Sequence, residues 1–301
     1  YSIDLSGQII MPTPGKIERA DDRLRLQGKI RMYAEESPGS FIRLFYEKLV
    51  PESAVEWCKE EVNSHISWKK DVTLPTEGYR IRVTPERIIV EAADDAGFIY
   101  AIQSLRQWNT GEERGLIFPC VEITDFPRVK WRSFMLDSGR QYQKVSTIKK
   151  YIDMASMLKM NYFHWHLTEG LGWRIEIKRY PFLTRIGAFV GQGPEQQGFY
   201  SQEEVKEIIG YAADRGITVV PEIDMPGHAE AALNAYPRLV CFNVAVKVPQ
   251  SGFTQNIFCA GKDSTLIFLK NVLDEVCRMF PSAYIHLGGD EAPKGNWDKC
   301  P

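Results

Sequence analysis

The stretch "STIKKYIDMASMLKMNYFHWHL", residues 146–167, decides the fold class of the second half of the chain. Its first part repeats an apolar residue every three or four positions, which predicts a helix with one apolar stripe, at Ile148, Ile152, Ala155 and Leu158. Its second part, "NYFHWHL", is a short apolar run typical of a buried strand. A helix that leads directly into such a strand indicates a parallel α/β sheet where the same alternation is repeated along the chain.

The same alternation recurs on both sides of this stretch. Strands are predicted at "WRSFMLD" (131–137), "ITVVPEI" (217–223) and "YIHLGG" (284–289). Helices are predicted at "SQEEVKEIIGYAADRG", which carries a capping box in Ser201 and Glu204, and through "LIFLKNVLDEVCRMF". Repeated strand–helix units predict a parallel sheet with right-handed crossovers.

The first part of the chain has a different pattern. "YRIRVTPERIIVEA" (79–92) alternates on both sides of a Thr-Pro-Glu turn and predicts a hairpin. Asp94 or Asp95 can then cap a helix through "AGFIYAIQSLRQW". We therefore expect a small α+β domain over residues 1–125 and an α/β domain over residues 126–301, separated at the Pro-bearing break "TDFPRVKW".

Composition excludes several classes of protein. The 301 residues carry a net charge of −2 without a block of Lys or Arg, which argues against a nucleic-acid partner. No apolar run reaches the length of a membrane-spanning segment. The six cysteines are scattered, without the paired spacing of a zinc site, and composition leaves open whether they form one disulfide or none.

Polar residues follow each predicted strand of the second domain. A lone Asp or His at a strand end is more often a cap or a loop hydrogen bonder, but here they recur after four strands. The carboxyl ends of parallel strands meet on one face, which is where (β/α)8 barrels and open α/β sheets both place their sites. The residues are Asp137, Arg140, His164, His166, Glu169, Glu222, Asp224, His228, Asp290 and Glu291.

Two chemistries fit paired acids with histidines on such a face. His164 and His166 point the same way on a strand, as in metal-dependent barrel hydrolases, although an inward-packed pair explains this equally. Glycoside hydrolysis needs a proton donor and a group that stabilises positive charge at the anomeric carbon. Adjacent acids such as Asp290 and Glu291 would point to opposite faces of an extended strand, so both cannot serve one bond in the ordinary way.

Tryptophans near these strands could stack on a sugar or pack in the core, namely Trp165, Trp173 and Trp297.

Four motifs in order, "WRSFMLDSGR", "HWHLTEGLGWR", "VVPEIDMPGH" and "HLGGDE", resemble the β-N-acetylhexosaminidases of glycoside hydrolase family 20. The leader from "DDAGFIYAIQSLRQW" to "FPRVKWR" resembles the end of that family's N-terminal domain. The resemblance implies a (β/α)8 TIM-type barrel preceded by a small α+β domain. It also implies exo-acting, retaining hydrolysis of terminal β-linked N-acetylhexosamine from glycans, with no metal and no cofactor.

The resemblance also implies a role for each matching residue. Glu291 would be the general acid and base, and Asp290 would orient the substrate's own 2-acetamido group, whose carbonyl oxygen attacks the anomeric carbon to form an oxazolinium ion. Arg140 would bind hydroxyls of the terminal sugar. Glu169, which replaces the family's usual Asp, and His228 would form a supporting relay behind Glu291.

The barrel-like sequence is short. It runs from about Arg128 to Pro301, 174 residues with four predicted strands, where a whole barrel needs about 250 residues. We therefore expect only the N-terminal half of the barrel here, within a longer, exported protein (periplasmic, secreted or lysosomal) whose signal sequence is absent from this chain. A metal-dependent barrel hydrolase and a non-catalytic carbohydrate-binding half-barrel are the alternatives.

Overall fold

The computed structural model describes residues 9–111, 115–191, 193–194, 197–242, 246–248 and 256–300. These residues divide into two compact units. The first extends to Arg132 and includes Asp153–Asn161 and Asp214–Gly216. The second comprises Ser133–Ile152, Tyr162–Ala213 and the chain from Ile217 onward. The domain boundary at residue 125 stays a prediction.

The first unit is a mixed sheet of seven strands with two α-helices among its described residues, in the sheet order β1-β7-β5-β6-β4-β2-β3. In chain order the elements are β1 (Lys16–Leu26), β2 (Ile30–Ala34), α1 (Phe41–Lys48), β3 (Val55–Trp57), β4 (Ile66–Lys70), β5 (Tyr79–Val83), β6 (Ile88–Ala92), α2 (Asp95–Trp108) and β7 (Leu116–Asp125).

The predicted hairpin and the helix after it are confirmed in this unit. β5 and β6 pair antiparallel with Tyr79 opposite Ala92. The Asp94 side chain caps α2 by accepting a hydrogen bond from the Gly97 N–H at 2.9 Å, which stabilises a helix by about 1 kcal/mol. The aromatic rings of Phe41 and Phe98 stack at 4.4 Å between centroids in the core between helices and sheet.

The second unit contains the predicted strand–helix alternation. Its described elements are β8 (Ser133–Asp137), α3 (Val145–Met157, whose residues from Asp153 belong to the first unit), β9 (Tyr162–His166), β10 (Thr168–Glu169), β11 (Gly172–Trp173), α4 (Phe182–Arg185), α5 (Gln202–Ala213), β12 (Thr218–Glu222), α6 (Glu230–Ala235) and α7 (Asp263–Met279). β8, β9 and β12 form a parallel sheet in that order.

The predicted fourth strand over residues 284–289 is wrong in extent. Only a single parallel bridge joins His286 to Glu222 on β12, with backbone hydrogen bonds continuing to Leu287. Gly288 and Gly289 have φ of 64° and 112°, a left-handed conformation that ends an extended segment. Three strands and one bridge place Asp137, His166, Glu222 and His286 side by side, whereas closure into a barrel remains a prediction.

No helix among the described residues combines the length and the apolar character needed to cross a bilayer.

Candidate active site

The sheet of the second unit brings its polar strand ends together. Register places Asp137 beside His166, His166 beside Glu222, and Glu222 beside His286. Because the strands are parallel, their carboxyl ends share one edge, and the loops after them carry the remaining polar residues. The predicted convergence of four chain segments on one face is therefore present in the structure.

Glu222 is the centre of the histidine cluster. Its Oε2 lies 2.6 Å from His164 Nε2 and 2.7 Å from His166 Nδ1, and its Oε1 lies 3.1 Å from His286 Nδ1. Burial opposes ionisation of this carboxylate, but hydrogen bonds from His164 and His166 hold the pKa of Glu222 well below its usual range. The His-x-His pattern is thus explained by two side chains that share one carboxylate.

Glu169 lies at the centre of a second cluster. The side chain is fully buried on β10, and its Oε1 contacts His228 Nδ1 at 2.5 Å and Arg140 Nη2 at 2.6 Å. Gly139 makes room for it, since a Cβ there would lie 2.6 Å from the Glu169 Cβ. Arg140 Nη1 also contacts Asp137 Oδ2 at 2.6 Å. A buried carboxylate with two cationic partners is paired rather than a loop cap in solvent.

His228 connects this cluster to the two adjacent acids. Its Nε2 lies 3.5 Å from Asp290 Oδ2 and 3.6 Å from Glu291 Oε2. The hydrogen bond and the negative charge of Glu169 raise the pKa of His228 to about 9, against the opposing effect of burial. Glu169 on one side of the ring and both acids on the other therefore favour its protonated form at neutral pH.

The loop that carries the acids is not extended. Gly288, Gly289 and Glu291 all have positive φ, so Asp290 and Glu291 do not alternate between opposite faces, and both contact His228. Both acid side chains are exposed. This geometry answers the objection raised by their adjacency in the sequence, because a bent loop can direct the two carboxylates to different atoms of one ligand.

Asp224 holds the base of this loop. Its Oδ1 accepts a hydrogen bond from the Gly289 N–H at 3.2 Å, and a Cβ on Gly288 would lie 1.8 Å from the same oxygen. Asp224 is buried, and burial raises the pKa of its carboxyl to about 6. Only glycine at position 288 allows this approach without displacement of the loop.

The tryptophans are core residues where the structure decides the question. Trp165 and Trp173 are buried, and their Nε1–H groups donate to Ser138 Oγ and to the Ile175 carbonyl at 2.8 Å each. Trp297 donates to the Phe258 carbonyl at 2.9 Å. Trp165 and Trp173 therefore pack rather than offer a face to a sugar.

Several groups of donor atoms are close enough to hold a metal ion. Within the described residues they comprise His164, Glu222 and His286; His166, Glu222 and Asp224; Asp224, His228 and Asp290; and, apart from these, Cys241, Cys259 and Cys300. The histidines of the first two groups are already joined to Glu222 by direct ion pairs, which accounts for their proximity to that carboxylate.

Comparison with known proteins identifies the family. The model described as "Glycosyl hydrolase family 20, catalytic domain" matches residues 129–301, and "Glycosyl hydrolase family 20, domain 2" matches residues 8–126. The chain belongs to glycosyl hydrolase family 20. Residues 8–126 therefore correspond to domain 2 of the family, and residues 129–301 correspond to sequence of its catalytic domain.

Individual members of the family are similar to the chain in sequence and structure. A β-hexosaminidase of Porphyromonas gingivalis is 41% identical over 310 residues, which cover 97% of this chain and 40% of that protein. The crystal structure of a β-N-acetylhexosaminidase from Bacteroides fragilis NCTC 9343 shares 97% identity at a TM-score of 0.94, over 98% of this chain and 58% of that one.

A more distant member was solved with a sugar bound. The GH20 exo-β-N-acetylglucosaminidase of Vibrio harveyi, in complex with N-acetylglucosamine, shares 31% identity at a TM-score of 0.88, over 98% of this chain and 48% of that one. The chain spans about half the length of the relatives it matches.

Sequence reasoning named five site residues, and the structure places all of them in one cluster: Arg140, Glu169, His228, Asp290 and Glu291. Their catalytic and substrate-binding roles remain predictions. The sequence analysis gave no role to Glu222 and Asp224, although both were among the candidates at strand ends. A position at a strand end does not reveal which side chains a residue will contact.

Proposed function

We propose that this chain carries the acid pair of an exo-acting, retaining β-N-acetylhexosaminidase. It removes terminal β-linked GlcNAc or GalNAc from glycans by substrate-assisted catalysis. Glu291 protonates the glycosidic oxygen and later activates water. Asp290 hydrogen-bonds the N–H of the 2-acetamido group, whose oxygen attacks the anomeric carbon and forms the oxazolinium intermediate. This mechanism differs from the common one, in which two protein carboxylates act across one glycosidic bond.

One observation carries the proposal. His228, itself held by buried Glu169, reaches both acids of an exposed and bent loop. A protonated imidazole beside both Asp290 and Glu291 offsets the repulsion between these two adjacent carboxylates, so that the loop can hold both of them on the same side. Family membership and the named activities of similar proteins support the same reaction.

Arg140 has a second role in the proposal. Its guanidinium is fixed by Asp137 and Glu169, yet its side chain remains 44% exposed. A guanidinium with several N–H donors suits the hydroxyls of a terminal sugar. Arg140 is linked to the acids by contacts, because Glu169 pairs with both Arg140 and His228, and His228 lies beside both acids.

Substrates with different leaving groups distinguish the roles of the two acids. In the complete gene product, Glu291→Gln should impair substrates with poor leaving groups most, because an activated aryl leaving group needs little protonation. Asp290→Asn removes the charge beside the oxazolinium-like transition state, so even activated aryl substrates should lose about 2 kcal/mol or more of stabilisation. The measurement is kcat/KM for a series of aryl N-acetylglucosaminides.

Inhibitor and substrate tests distinguish this proposal from the alternatives. A thiazoline mimic of the bicyclic intermediate should inhibit the complete protein and bind the Asp290→Asn variant more weakly, and NMR of the first-formed sugar should show the β-anomer. A metal-dependent hydrolase has no need of the acetamido group. If plain glucosides were cleaved as fast as N-acetylglucosaminides, the roles of both acids would have to be abandoned.

A further inference from the structure

We propose that Cys241, Cys259 and Cys300 together bind one zinc ion. Their three sulfur atoms lie within 4.8 Å of one another, and those of Cys259 and Cys300 are 3.6 Å apart. Zinc bound to sulfur at about 2.3 Å in a tetrahedral site places its ligands about 3.8 Å apart. The cluster therefore has the spacing of three corners of such a site, with the fourth open to water or a further side chain.

The three cysteines are distant in sequence, and for this reason the scattered spacing gave no sign of a zinc site. Chain segments around them are held by the backbone: Cys259 N–H donates to the Leu239 carbonyl at 2.9 Å, and Lys262 Nζ donates to the Val240 carbonyl at 2.7 Å. Cys241 and Cys259 are buried. A site assembled by folding is preorganised, which lowers the cost of ordering its ligands on binding.

Chemistry selects the ion. The three side chains of the cluster are all thiols, and thiolate ligands favour a soft ion such as Zn²⁺ over Mg²⁺ or Ca²⁺. All six cysteines are free in the structure, so none of the three is committed to a disulfide. Binding would release the thiol protons to solvent and form three Zn–S bonds with no change of oxidation state.

The ion would have a structural role. Cys300 lies nine residues after Glu291, and the segment between them is fastened to the cluster at Trp297, whose Nε1–H donates to the Phe258 carbonyl. Phe258 N–H in turn donates to the Pro226 carbonyl at 2.9 Å, two residues before His228. Zinc would thus fix the chain that follows the acid pair against the loop that carries His228.

Metal content tests the site independently of hydrolysis. The chain should be purified with a reductant, equilibrated with zinc, desalted, and analysed for metal by mass spectrometry. We expect one zinc per chain in the native protein and in Cys277→Ser, the matched control on the exposed side of α7. Cys300→Ala and Cys259→Ser should retain less than one tenth of that amount.

A second measurement needs no variant, because Cys259 is buried and its replacement could prevent folding. Cobalt added to the native chain should give the intense thiolate charge-transfer band and the visible d–d bands of tetrahedral coordination, and zinc should displace both. Three results would overturn the proposal: no retained zinc, unchanged zinc in Cys300→Ala, or a Cys259–Cys300 disulfide in the purified native protein.

Discussion

His228 is a buried side chain whose protonation depends chiefly on the Glu169 carboxylate, with smaller contributions from Asp224 and Asp290. Its pKa is raised from 6.5 to about 9, chiefly by Glu169. Because the folded-state pKa is the higher one, the stabilisation is fully present below pH 6.5 and is lost as the pH rises through 9. A pKa difference of one between the folded and unfolded states corresponds to about 1.4 kcal/mol, so we expect the free energy of unfolding to fall by about 2 to 4 kcal/mol across this window.

The measurement is urea denaturation of the chain at several pH values between 6 and 9.5. Glu169→Gln keeps the shape of the side chain and removes the charge that raises the pKa of His228, so its stability should be lower near pH 6.5 and nearly independent of pH above it. Lys16→Gln, which breaks an exposed ion pair with Glu18, is the control. Parallel pH profiles for native protein and Glu169→Gln would contradict a charged His228.

The sequence could predict the members of this cluster but only some of their contacts. Glu169 and His228 were named because they stand in recognisable motifs. Glu222 as the shared partner of three histidines could not be predicted, because that contact depends on the register of β9 and β12 and on a bridge to His286, which no local pattern encodes. Pairing across a sheet is set by packing over long sequence separations.

The loop from His286 to Glu291 is the element on which the acid pair depends. Gly288→Ala should displace it, because the added Cβ would lie 1.8 Å from Asp224 Oδ1 and φ is 64°. We expect a loss of about 1 to 3 kcal/mol in the free energy of unfolding. In the complete gene product we expect kcat/KM to fall by more than this loss of stability alone would produce.

Two controls separate the causes of this effect. Gly289→Ala has the same kind of left-handed backbone but no atom within 4 Å of the added Cβ, so it measures backbone strain alone. Gly295→Ala has neither feature and should be neutral. If Gly288→Ala behaved like Gly295→Ala in denaturation and in kinetics, close approach to Asp224 would not position the loop.

Periodicity in the sequence predicted the regular elements, but it did not predict the conformation of this loop. The helix over Gln202–Ala213 shows the predicted capping box, with Glu204 N–H donating to Ser201 Oγ at 3.1 Å and Ser201 N–H to Glu204 Oε2 at 2.9 Å. "YIHLGG" has the composition of a strand, but two glycines with positive φ bend it after one bridge. Apolar composition predicts burial better than it predicts how far an extended segment runs.

At the scale of the whole molecule, the sheet of the second unit has two outer members among the described residues. β8 pairs on one side with β9, and the segment around His286 pairs with β12. Large apolar side chains are exposed on both, with Met135 at 54%, Tyr284 at 57% and Leu287 at 45% exposure. Unpaired strand edges bearing exposed apolar residues favour pairing with another chain.

We therefore expect a 301-residue polypeptide to self-associate, with a mass in light scattering that rises with concentration. Met135→Lys and Leu287→Lys place a charge on each outer member and should return the mass to that of a monomer, because burying an unpaired ammonium in a new interface is costly. Val72→Lys changes a residue that is 78% exposed and belongs to the first unit, and it should leave association unchanged. A native chain that stays monomeric at every concentration, or one that associates equally with all three substitutions, would show that these two edges do not drive assembly.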